Sequence, residues 1–192
     1  MNRCRLASLC VFVFALTSAA QDVPPPPKPA DDGPSLADTM KFIEEKLGSI
    51  GQVNYVAYLH DDTSGKDFTP VKYGSKIEIS TVRGNVQSCR IDYHGWGSVN
   101  GTVLLDKDLG FALKDVQEVV VKACEQDLKE AQSKAGHPEY SNRVDPPVFV
   151  IIVKKKNGGD EFALYDESLA HRIAKALVHA VELCGGGSKD PF

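Results

Sequence analysis

The stretch that most constrains the fold is the end of the chain, "FVIIVKKKNGGDEFALYDESLAHRIAKALVHAVELC", residues 149–184. Val148 to Val153 are apolar on both faces, which predicts a central strand covered twice. Asn157-Gly158 supplies the positive φ angles of a tight hairpin. Phe162 and Leu164 then alternate as a return strand should. Asp166 stands where a helix N-cap belongs. Leu169, Ile173, Leu177, Val181 and Cys184 follow at steps of four, four, four and three, one apolar stripe down a helix, and Gly185–Gly187 stop it. The expected class is α+β.

The other end reads as export and spacing. Residues 1–20 carry Arg3 and Arg5, an apolar run from Leu6 to Leu16, and Ser18-Ala19-Ala20 before Gln21, the layout of a signal peptide. The run is shorter than the about 20 residues a spanning helix needs, and the mature chain is expected to have no transmembrane segment. Removing two Arg takes the net charge from −4 to −6. An acidic, exported chain is a poor nucleic-acid binder, because non-specific binding depends on basic patches. Residues 21–34, "QDVPPPPKPADDGP", are expected to be an extended Pro-rich linker. The folded domain is expected over 35–185, with 186–192 a flexible tail.

Ser35 caps a helix whose stripe is Leu36, Met40, Ile43, Leu47 and Ile50. Val53 to Asp62 reads as a strand. Ile77, Ile79 and Thr81 lie on a second, a turn at Gly84-Asn85 leads to a third, and residues 96–116 read as short strands broken by Gly and Asp. Residues 114–135 fit either one helix or a strand near 117–122 followed by a helix to Ala135. Gly136 to Pro147, with three prolines, reads as a loop.

Strands in hairpin order closed by one long amphipathic helix resemble a pleckstrin-homology-like (PH-like) domain. "FALKDVQEVVV" is similar to the entry of such domains into their fourth strand. "PSLADTMKFIEEKLGSIGQVNYVAY", "SCRIDYH" and "RIAKALVHAVELCGGG" resemble a group of uncharacterised exported bacterial proteins. The resemblance implies a bent antiparallel sheet, or open barrel, closed by the C-terminal helix, with an extra N-terminal helix. It implies no reaction. Both segments "SCRI" and "ELCGG" hold a cysteine, and Cys89 shares a parity with Ile91 and Tyr93. The expected disulfide is therefore Cys89–Cys184, with Cys124 reduced; the alternative is three small buried thiols.

No local motif carries catalysis, no cofactor is expected and no metal site is expected. Cys and His are scattered singly, and His60-Asp61-Asp62 lacks the EF-hand spacing. Ser98 lacks the G-x-S-x-G frame, since Trp96 and Asn100 stand at the glycine positions. Lys154–Lys156 reads as a basic guard on a strand edge more readily than as a phosphoinositide site. His171 and His179 read as solvent-facing helix residues, and Asn100-Gly101-Thr102 is a formal glycosylation sequon. The ligand-binding candidates are His94 and Trp96, in the glycine-rich "YHGWGSVNG" expected at a strand end. The function these features favour is a secreted or envelope non-catalytic binding or assembly module for a protein or small ligand. The alternative is a secreted hydrolase-like enzyme assembled only in three dimensions.

Overall fold

The computed structural model describes residues 33–61, 71–137 and 140–187. The expected signal peptide, nearly all of the Pro-rich linker, the acidic loop beyond Asp61 and most of the tail lie outside these. Ser35 opens the first helix, α1 (Leu36–Gly48): its hydroxyl accepts from the Asp38 amide and donates to the Asp38 carboxylate. Eight strands and two further helices follow among the described residues: β1 (Gly51–Asp61), β2 (Val71–Asn85), β3 (Arg90–Val99), β4 (Thr102–Ala112), β5 (Val116–Ala123), α2 (Cys124–Lys134), β6 (Tyr140–Asp145), β7 (Phe149–Lys155), β8 (Gly159–Leu164) and α3 (Glu167–Leu183).

The protein is α+β. Its strands form two open antiparallel sheets, one of five strands in the order β4-β3-β2-β1-β6 and one of three in the order β5-β7-β8. β7 is central to the small sheet and is covered on both faces. Ile151 and Val153 meet α1, α3 and the β2–β4 side of the large sheet, together with Met40, Ile43, Ile91, Phe111, Phe162 and Leu177. Val148 and Val150 face a second core with Val53, Ala57, Cys124, Val144 and Ala163. Asp166 caps α3 by accepting from the Leu169 amide, and Ile173, Leu177 and Val181 of the stripe are buried.

Three local expectations are corrected. The turn after β2 falls at residues 86–89, not at Gly84-Asn85: β2 carries a bulge between Ser80 and Arg83, with Thr81 at φ 48°, and the extra residue moves the turn on. Residues 102–112 form one long strand, since Asp106 and Asp108 lie on its solvent side and interrupt nothing. The supposed loop at 136–147 contains β6, which pairs with β1 and buries only Val144. The ambiguous stretch resolves as β5 followed by α2.

The sulfurs of Cys89 and Cys184 lie 2.04 Å apart with their Cα atoms at 5.9 Å, and Cys124 is free and buried. Cys89 stands in the turn at φ 48°, not in the regular strand its parity suggested. A disulfide is compatible with an extracellular or periplasmic location. No helix among the described residues is long and apolar enough to cross a membrane.

Candidate binding groove and free strand edge

β3 alternates strictly at its start, and its two faces have different chemistry. Ile91 and Tyr93 point into the core, and Gly95 and Gly97 continue that row without side chains. The bare backbone leaves a groove of about 440 Å³, bounded by Tyr55, Ile77, Leu105, Leu109 and the start of β8 at Gly159–Glu161. The leucines reach over Gly95: a Cβ there would lie 3.1 Å from Leu109 Cδ1 and 3.2 Å from Leu105 Cδ2.

A buried polar network fixes the β8 wall. The Tyr93 hydroxyl donates to Asp160 Oδ1 at 2.7 Å, and Lys155 Nζ lies 2.6 Å from Asp160 Oδ2 and 5.8 Å from the Phe111 ring centroid. Burial, then the bond to Asp160, pushes the Tyr93 phenol well above its ordinary range, so it stays a donor. Lys154 is held by Glu118 at 2.7 Å. Two of the three lysines of the basic run are therefore neutralised within the fold.

Across the groove, burial first and Cys124 second push the Tyr55 phenol up to about 12. Burial likewise raises the Cys124 thiol, which stays protonated, the opposite of what a nucleophile needs. Glu161, at the rim, is raised by shielding from solvent and then by Asp127.

The two sequence candidates, His94 and Trp96, share the other face of β3, and Trp96 is also among the residues that line the groove. They lie within the strand rather than at its end, because β3 extends through both glycines to Val99. His94 stands between Ser80 and Asp108, and Trp96 between Glu78 and Asp106. Nδ1 of His94 lies 2.9 Å from Asp108 Oδ1 and Nε2 lies 3.1 Å from Asp106 Oδ1. The bond to Asp108 is the largest cause raising the imidazole above its ordinary value. Ser98 is buried, and among the described residues it has no hydrogen bond to His94. No group of three or more described His, Cys, Asp or Glu side chains is arranged to hold a metal ion. His179 does more than face solvent: its Nε2 lies 2.9 Å from the Pro34 carbonyl oxygen.

β4 joins the two faces. It ends the large sheet, so one side of its backbone is unpaired by any described strand. Its register slips where Gly97 faces Leu105 and Ser98 faces Val103, a bulge that turns Leu104 outward. Leu104 is 70% exposed and Val103 51%. Leu105 and Leu109 meet the groove, whereas Asp106 and Asp108 lie on the His94 face. The sequence reading missed Leu104, Leu105, Leu109 and Tyr55 as site residues. The available signal was Gly95-x-Gly97 inside a strand, which removes side chains from one face only. Comparison with family models, with curated proteins and with solved structures found no match.

Proposed function

We propose that this chain is an exported, non-catalytic binding module of PH-like architecture that takes an extended peptide along the free edge of β4. The observation that carries the reading is that edge: a long terminal strand with exposed Val103 and Leu104, opening beside an apolar groove. An added strand gains main-chain hydrogen bonds from the edge and specificity from alternate side chains. The row beside Leu105 and Leu109 takes apolar residues on either side of Lys107, which shares that face. The row beside Asp106 and Asp108 takes Lys or Arg. The same carboxylates, with the bulge, disfavour indiscriminate pairing of apolar edges. The PH-like part of the reading is supported by the β7–β8 hairpin running into α3, whose stripe packs on that sheet. The hydrolase alternative needs a nucleophile beside a free base; His94 has carboxylates at both ring nitrogens, and Cys124 is a protonated, buried thiol.

The test is calorimetric titration with a peptide of about ten residues alternating Lys and Val. Leu104→Lys places a like charge and a polar group on an exposed position. It is expected to weaken binding by about tenfold or more, the cost of losing a central apolar contact, with little change in the melting temperature. Equal affinity for the variant, or no binding by the parent, overturns the reading.

A further inference from the structure

The two contacts of His94 make a demand that a neutral imidazole cannot meet. Its Nδ1 and Nε2 lie 2.9 and 3.1 Å from carboxylate oxygens of Asp108 and Asp106. A carboxylate only accepts, and a neutral ring has one N–H, so one of these contacts then becomes two acceptors facing each other. Only the imidazolium donates to both. We propose that His94 is a proton-operated latch that occupies Asp106 and Asp108 when charged and releases the β4 edge to a basic partner when neutral.

The surroundings give this latch its direction. On the same face, β2 contributes Ser80 opposite the ring, Glu78 in the next row and Arg83 beside Asp92. β3 contributes Trp96 and Asp92, and Asp92 is engaged by Arg90 at 2.6 Å. β4 contributes the two aspartates; Lys107 between them faces the groove. The carboxylates nearest the ring therefore outweigh the cations, in keeping with a His94 titration above the ordinary imidazole value. For the sign, a group whose folded pKa is raised contributes stability that is fully present below the unfolded value. That contribution is lost as pH rises through the folded value. Acid fastens the latch; neutral to alkaline pH opens it. With the ring charged, His94, Asp106 and Asp108 sum to one negative charge; with it neutral, to two. A basic peptide at this edge meets the larger negative charge only when the latch is open.

The consequence for binding rests on the peptide-binding reading above; the latch itself does not, and the experiment separates them. The His94 ring is followed by NMR across about pH 5 to 8.5 in the full mature chain, in Asp108→Asn and in Asp106→Asn. A titration above that of a free imidazole, lowered in Asp108→Asn and less so in Asp106→Asn, supports the latch. A titration unmoved by either substitution overturns it, whatever binds. The Lys/Val peptide is then titrated at both ends of the range against the parent and His94→Gln. Affinity rising about two- to fivefold with pH in the parent, the size of an exposed charge pair, and flat in His94→Gln supports the coupling. The same rise in His94→Gln removes His94 from it. A ring that titrates as stated in a protein that binds no peptide leaves the latch standing and refutes the peptide-binding reading.

Discussion

Gly95 shows how one side chain's absence makes a site. Any Cβ there meets Leu109 and Leu105 at 3.1 and 3.2 Å, so the leucines must yield. Gly95→Ala is expected to cost about 1 kcal/mol and Gly95→Val about 2–3 kcal/mol, by overpacking, read as shifts in the urea midpoint at unchanged slope. Both are expected to weaken peptide binding beyond their effect on stability, because the leucines are displaced into the groove. Gly95→Ala at parental stability and affinity would show the leucines free to move and the groove undefined. His94 and Trp96 were legible as candidates from sequence, since a lone Trp among glycines can stack on a ligand. Their face was not. Which side of a sheet is covered depends on partners far along the chain, here the β8 segment near Asp160. Tyr55 and Leu105 carried no signal as site residues, because each is also ordinary core material in an alternating strand.

At the scale of elements, capping and stripe were readable because they are local. Ser35 and Asp166 each accept a hydrogen bond from the amide three residues on; Met40, Ile43 and Leu47 of the α1 stripe and Ile173, Leu177 and Val181 of the α3 stripe are buried, with Thr39, Ala170, Ala174 and Ala180 buried beside them. β6 was not readable. "YSNRVD" has no apolar alternation and buries only Val144, and it is a strand because β1 offers it an edge from Val56 to Asp61. The bulge at Ser80–Arg83 is likewise a product of context: it places Val82 in the core and brings Gly84 against Met40 of α1, with Glu44 accepting from the Gly84 amide. The two caps are expected to differ in consequence. Asp166→Ala should cost about 1–2 kcal/mol, since α3 covers the main core, and Ser35→Ala about 0.5–1 kcal/mol. Thermal unfolding of the two variants decides the order. A larger loss for Ser35→Ala would place the stability of the fold in α1 rather than α3.

For the whole molecule, the Cys89–Cys184 bond spans a sequence separation of 95 and joins the β2–β3 turn to the end of α3. It clamps the closing helix to the strand that carries the site. Replacing both cysteines by Ser is expected to lower stability by about 2–5 kcal/mol, mainly through the unfolded chain's regained freedom. Unfolding of the parent with and without reductant should match the difference. An unchanged midpoint on reduction would show the helix held by packing alone. The two sheets are joined by the Tyr93–Asp160–Lys155 network and by Tyr165, whose hydroxyl donates to the Asn54 carbonyl at 2.8 Å. The first tie borders the groove, and both leave β4 outside them, an 11-residue strand at the edge of the large sheet. Amide hydrogen exchange along the chain, with and without the Lys/Val peptide, tests the central claim, binding at that edge, most directly. New protection is expected to concentrate at alternate amides of residues 103–111, with little change in β6. Protection elsewhere, or none on β4 at saturating peptide, would contradict it.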